Sequence, residues 1–229
     1  MNFESGILLH MGVNYLLTPP PDLDMRKFLD FQGALLDEGI DYGEARHSEK
    51  ELNLRRANPP LQIRVLAPNP PMGQLLIVAP QPEDGLEMFG RKADAIVNAF
   101  SNTWPAQRQI VSCDCTIRYL YESSRDHAFE EIWESRLKQP KENLAIFGAP
   151  VGGGGLRFVM PVIPSSPEPV EIEVKIESYL KDPRKLYVDA RFKWPQTRPS
   201  ALTFEPLERL KTVDRFIEDK ALAFMEASR

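Results

Sequence analysis

A chain of 229 residues is long enough for one large domain or two small ones, and needs neither metal nor disulfide to hold its core. Its net charge of -5 and pI near 5.4 speak against the concentrated basic footprint of a general nucleic-acid binder. No apolar run approaches the roughly twenty residues a membrane helix needs and no signal-peptide pattern follows Met1, so the chain reads as cytoplasmic, in a reducing compartment.

In chain order, residues 7–17 (I-L-L-H-M-G-V-N-Y-L-L) read as a strand, stopped by Thr18-Pro-Pro-Pro-Asp22, with Asp22 as a helix cap. Met25, Phe28, Leu29, Gln32 and Leu36 recur at helical spacing and predict an amphipathic helix to residue 38. The charged stretch 41–58 reads as a hairpin at the edge of a sheet. Leu61, Ile63 and Val65 alternate with Gln62 and Arg64, and residues 74–79 predict the next strand. Asp84 with Glu87 resembles a capping box for a helix whose Leu86, Phe89, Ala93, Ile96, Val97 and Phe100 form one apolar stripe.

A second series begins near residue 106. Residues 110–121 (I-V-S-C-D-C-T-I-R-Y-L-Y) predict a strand, Ser123-Ser-Arg-Asp126 a helix cap, and Phe129, Ile132, Trp133 and Leu137 one face of the helix that follows. Extended stretches are expected at 143–147 and 156–163. The clearest hairpin comes next: Val170, Ile172, Val174 and Ile176 alternate with charged residues, as do Leu186, Val188, Ala190, Phe192 and Trp194 with polar ones. If opposed residue numbers sum to 364, Lys175 faces Asp189, Glu173 faces Arg191, Glu171 faces Lys193, Ile176 faces Val188 and Val174 faces Ala190. A slip of one residue sets apolar side chains against charges, so charge specifies the register. A long helix over 203–227 ends the chain, with Leu207, Leu210, Val213, Ile217, Ala221 and Phe224 on one stripe.

The two series look like copies. At a constant shift of 104, Ile7 meets Val111, Val13 meets Ile117, Tyr15 meets Tyr119 and Leu16 meets Leu120. At a shift of 111, Leu75, Ile77 and Ala79 meet Leu186, Val188 and Ala190. The expected fold is α+β: a tandem duplication of a strand-helix-four strands-helix unit, residues 1–105 and 106–229, joined in one continuous domain. Its sheet should be largely antiparallel and curved, with the helices on one face. A duplicated unit of this order is similar in topology to the TATA-binding-protein-like fold, which implies that the two first strands pair at the centre of the sheet. Gly155-Leu156-Arg157-Phe158 and the terminal helix around 213–217 resemble an uncharacterised, sporadically distributed bacterial family with a G-L-R-Y strand. The chain departs from that pattern at Phe158 and at Val213, where the family carries histidine, and the resemblance implies no activity.

Few residues suggest chemistry. Cys113 and Cys115, two apart on one strand, point the same way, which suits neither a mutual disulfide nor, without further ligands, a metal. They align with Leu9 and Met11 and read as small core residues, so neither metal nor cofactor is expected. The run Gly152–Gly155 lacks phosphate-loop spacing and reads as a turn. His47 and His127 read as solvated surface groups, and no serine elbow is present. If Leu9, Met11, Val13 and Tyr15 face the helices, Leu8, His10, Gly12, Asn14 and Leu16 face the other way, with Ser112, Asp114, Thr116, Arg118 and Leu120 as their mates. That gathers His10, Asn14, Asp114 and Arg118 at the centre of an open face. Leu66, Leu76 and Val78, with Leu8 and Leu16, make its first half apolar, and a partner, ligand, second subunit or loop is expected to cover it.

The function expected is therefore non-enzymatic: binding of a protein partner or ligand, or self-association, on the open face, through His10, Asn14, Asp114, Arg118, Leu76, Val78 and Arg157. The alternatives are nucleic-acid binding through Arg118, Arg157 and Arg64, and an enzyme using His10 and Asp114 as an acid-base pair.

Overall fold

The architecture follows from nine extended stretches, in most of which every second side chain is apolar. In the computed structural model, which describes residues 2–69, 71–105, 108–195 and 203–226, these are β1 (Asn2–Thr18), β2 (Glu44–Ser48), β3 (Glu51–Arg56), β4 (Leu61–Asn69), β5 (Met72–Pro80), β6 (Gln109–Glu122), β7 (Gly155–Met160), β8 (Glu171–Ser178) and β9 (Lys185–Pro195). They form one antiparallel sheet in the order β2-β3-β4-β5-β1-β6-β9-β8-β7. The helical elements are α1 (Met25–Asp37), α2 (Gly85–Thr103), the short α3 (Ala128–Glu130), α4 (Pro206–Phe216) and α5 (Ala223–Glu226). Six-residue π-helical segments, Glu131–Arg136 and Ile217–Leu222, extend α3 and join α4 to α5. The fold is α+β, and no helix among the described residues is long and apolar enough to cross a membrane.

The helices cover one side of the sheet. Met11, Val13 and Tyr15 of β1, Ile77 of β5, Cys113, Cys115 and Ile117 of β6, and Val188 of β9 are fully buried on that side with Phe31 of α1, Ile96 of α2 and Val213 of α4. Each large apolar side chain removed from water there contributes roughly 1.5–3 kcal/mol, and this common core holds the halves of the sheet together. Tyr15 donates its hydroxyl to the Phe204 carbonyl (2.6 Å), and Tyr119 donates to Asp214 of α4 (2.7 Å), so the central strands are tied to α4 and to the segment that enters it. The cysteines are core residues, as their alignment implies, and burial pushes the Cys115 thiol upward.

Local signals were legible to different degrees. The 8–9 hairpin has the register that its charges specify, with Lys175 opposite Asp189, Glu173 opposite Arg191 and Glu171 opposite Lys193. The edge hairpin expected in 41–58 is β2 with β3. Other expectations need correction. Asp24, not Asp22, caps α1, accepting from the Lys27 amide at 2.7 Å, while the Asp22 carbonyl receives the Trp104 indole N–H. The buried stripe of α1 is Phe28, Phe31 and Leu35, leaving Met25, Leu29 and Leu36 exposed at 54%, 58% and 58%. Phe31, on that stripe, packs on Trp104 with ring centroids 5.2 Å apart. Asp84 makes no cap bond to α2 and pairs with Lys92 instead.

In the second half, residues 143–147 are not extended. Lys141–Phe147 forms a 3-10 helix between Pro140 and a left-handed Gly148 (φ 67°), which among the described residues leaves four strands in this half against five in the first. His127, rather than the preceding Ser-Ser-Arg-Asp, caps α3, its Nδ1 accepting from the Phe129 amide at 3.2 Å. His47 is half-buried, stacked on Phe28 and within 2.7 Å of the Leu23 carbonyl. In the run Gly152–Gly155, close approach dictates the last two: a Cβ on Gly154 would lie 2.8 Å from the Phe129 ring, and one on Gly155 2.4 Å from the Ile176 carbonyl, while one on Gly152 would meet open space. Residue 227 of the expected last helix, and residues 106 and 107 at the expected boundary between halves, lie outside the described residues.

Candidate functional site

The centre of the open face is set by the pairing of β1 with β6. His10 opposes Arg118, Gly12 opposes Thr116 and Asn14 opposes Asp114. Each pair extends into a row across the sheet, because directly opposed residues share a face. One row runs His10, Arg118, Asp189, Lys175 and Arg157; the next runs Val78, Gly12, Thr116, Arg191 and Glu173; the third has Leu76, Asn14, Asp114 and Lys193. In the middle row Gly12 has no side chain and Thr116 a short one, so the rows on either side stand above it. The result is a concavity of about 310 Å³ floored by Gly12 and Thr116.

Six of the seven residues expected at a site line this concavity: His10, Asn14, Asp114, Arg118, Leu76 and Val78. The seventh, Arg157, stands apart on the edge strand β7, its Nε 2.9 Å from Glu173. One neighbour also moves. An irregularity in β1 sets Leu8 opposite Tyr119 while His10 still opposes Arg118, so the extra residue, Leu9, turns Leu8 to the helix side, where it packs on the core. The apolar half of the open face is narrower than the alternation implies. Leu16, Leu66, Leu76 and Val78 are half-buried on it, and polar residues such as Gln62, Arg64, Gln74 and Asn14 stand among them.

A chain of hydrogen bonds crosses four strands. Gln74 Nε2 donates to Asn14 Oδ1 (2.7 Å), Asn14 Nδ2 donates to Asp114 Oδ2 (3.3 Å), and Arg191 Nη2 donates to Asp114 Oδ1 (3.1 Å). Asp114 is buried, and these donors satisfy a carboxylate that would otherwise be costly to remove from water. Asp189 accepts from the Tyr187 hydroxyl at 3.2 Å and lies 3.3 Å from Arg118 Nε. That nitrogen is enclosed and close enough for attraction, yet off-axis for a hydrogen bond, so the contact is Coulombic.

The opposed charges of β8 and β9 therefore do not pair straight across. Arg191 reaches inward to Asp114 and Asp189 sits beside Arg118, while Glu173 takes Arg157 and Lys175 (3.2 Å). The inner partners win because the seam strand β6 is the least hydrated part of the face, where an unpaired charge costs most.

Burial holds His10 well below the usual histidine range, at about 4; the Arg118 charge adds to the shift and Asp189 opposes it. The ring is neutral at neutral pH and a weak base. Asp114 spends its two oxygens on Asn14 and Arg191, which leaves the His10–Asp114 acid-base reading without a proton relay. The three arginines of the nucleic-acid reading all sit against carboxylates: Arg118 on Asp189, Arg157 on Glu173 and Arg64 on Glu51 (2.8 Å).

Sequence reasoning missed a larger concavity, a groove of about 680 Å³ lined by Phe129, Trp133, Leu144, Pro150 and Val151, with His127, Glu130 and Lys141 at its rim. The Phe129-Trp133 spacing was its only trace, and it reads equally as a helix's buried face. Its polar groups are spent locally: His127 caps α3, the Trp133 indole donates to the Pro140 carbonyl (3.1 Å), and Lys141 pairs with Glu130 (2.8 Å). The open-face concavity has polar groups converging from four strands and is the better candidate. Gln74 was also missed; the β1–β5 register, which sets it opposite Leu16 on the open face, was its signal. Among the described residues no group of three or more His, Cys, Asp or Glu is arranged to hold a metal. No protein-family model matches the chain, and no curated protein matches it.

Proposed function

We propose that this protein is a binding protein whose ligand, a small molecule or a side chain of a partner, seats in the open-face concavity between β1 and β6. The observation that carries the proposal is the floor made by Gly12. A glycine in the middle of a central strand weakens it unless something must approach the backbone closely, and here the gap lies among convergent polar groups and an apolar wall. A screen of small polar compounds by thermal shift tests it, run on the full chain and on Gly12→Val, which fills the concavity from below. Compounds that stabilise the native chain but not Gly12→Val are expected. If every stabilising compound acts equally on both, or none acts at all, the proposal fails.

We further propose that the chain is a tandem duplication with the topology of the TATA-binding-protein-like fold. Two independent numbers support this. The sequence shift between the copies is 104, and opposed residues at the seam sum to 128, as in His10 with Arg118. Both conditions meet at one pair, Gly12 with Thr116, where a twofold axis would pass. The strand order outward from β1 (β5, β4, β3) mirrors that from β6 (β9, β8, β7). An experimental structure in which rotation about that pair does not bring β1-β5-β4 onto β6-β9-β8 would overturn it. Nucleic-acid binding is the weaker alternative, since the acidic charge counts against it.

A further inference from the structure

Resting on the proposal that the open-face concavity binds a ligand, we infer that the ligand is a small organic anion, its carboxylate or phosphate head against Arg118, Arg191 and Thr116 and its apolar body against Leu76 and Val78. The carboxylates around the floor are each engaged by two groups: Asp114 by Asn14 and Arg191, Glu173 by Arg157 and Lys175, Asp189 by Tyr187 and Arg118. The cations are less committed. Among the described residues, Arg118 makes a single ion pair, its Nε forms no directed hydrogen bond, and Arg191 binds Asp114 through Nη2 alone. A guanidinium offers five donors in a planar fork, so Arg118 keeps its terminal Nη groups, and Arg191 its Nη1 and Nε, for a carboxylate or phosphate.

The charged lining is balanced, with Arg118, Arg191 and Lys175 against Asp114, Asp189 and Glu173, and Arg157 engages Glu173 from the edge strand. At the His10 ring Arg118 outweighs Asp189. The opposite wall carries no charge: Leu76 and Val78 stand across from Asn14 and Gly12. A head-and-body ligand is selected by this division, and 310 Å³ accommodates roughly ten non-hydrogen atoms at about 30 Å³ each.

Calorimetric titration of the full chain at low salt with hexanoate, hexyl phosphate, hexylammonium and hexanol tests the inference. One or both anions should bind saturably, and their relative affinities tell a carboxylate site from a phosphate site. Arg118→Met, which keeps the stem and removes the charge, should weaken binding roughly tenfold or more. Gly12→Val should abolish it; a Cβ there meets the His10 ring at 3.1 Å and the Val78 methyl at 3.5 Å, both movable side chains. Unchanged circular dichroism and melting temperature establish that each variant is folded, and Arg191→Met serves in place of Arg118→Met should the latter unfold. If hexylammonium or hexanol binds as tightly as the anions and Gly12→Val removes that binding, the anion inference fails while the binding proposal stands. If none of the four binds in a Gly12-dependent way, the inference fails, and the compound screen separately decides whether the concavity binds anything.

Discussion

The two halves of the sheet that meet at β1 and β6 are alike beneath and unlike above. On the helix side, Ile77 of β5 and Val188 of β9 are each 0% exposed and face one common core. On the open side, β5 presents Leu76 and Val78, where β9 presents Asp189 and Arg191. The comparison separates two jobs. Stability rests on the buried side, where both halves use small and branched apolar residues. The recognition proposed for this protein rests on the open side, where an apolar wall and a charged wall face each other across Gly12, and neither half alone makes that arrangement.

The strongest way to break the comparison is to cut into each half of the core. Ile77→Ala should cost about 3 kcal/mol and Val188→Ala about 2 kcal/mol, against less than about 1 kcal/mol for the half-buried Val78→Ala, as read from urea unfolding. If Val78→Ala costs as much as Ile77→Ala, the division between a stabilising and a recognising side is wrong.

A smaller effect comes from pH. His10 is held near 4 in the folded chain, below its ordinary 6.5, so the unfolded chain binds more protons between those values. The contribution of the neutral ring is complete above pH 6.5 and is lost as pH falls toward 4. Its size is about 1–2 kcal/mol once solvent screening is allowed for. His10→Gln should flatten that part of the stability-pH curve measured by denaturant titration, and an unchanged slope would place the acid sensitivity elsewhere.

The smallest effect sharpens the charged half. Glu173→Arg sets three cations around one position and should cost a few tenths of a kcal/mol, whereas Arg191→Glu also takes a partner from the buried Asp114 and should cost about 1–3 kcal/mol. The double swap should recover part of the loss, which a double-mutant cycle measures. Additive losses would mean that the opposed charges of β8 and β9 do not sense each other.

Much of the sheet was legible because alternation and charge are local. The hairpin of β8 and β9 could be registered from its own residues, since one slip puts Ile176 among charges. His10, Asn14, Asp114 and Arg118 could be gathered because a strand's period of two assigns each residue a face, and a repeat assigns each a mate. Leu8 escaped this logic, as one extra residue at Leu9 resets the period and nothing local marks it. The buried face of α1 escaped too: Leu29 and Leu36 fit a helical stripe as well as Phe31 and Leu35 do, and the Trp104 on which Phe31 packs lies far along the chain. The 3-10 segment around 144 offered apolar residues without a period that separates strand from turn.

Alternating apolar residues by themselves determined most of the strands and the partition of the central strands into a core side and an open side, and the charges between them determined the register of β8 against β9. Those properties depend on neighbours within a few residues, and backbone geometry imposes them wherever the segment lies. Tertiary structure alone decided that Arg191 turns to Asp114 rather than Glu173, that Arg157 stays at the edge, and that Gly12 opens a floor between an apolar and a charged wall. Each of these depends on which groups are least hydrated once the sheet has closed at its seam, and that depends on strands a hundred residues apart.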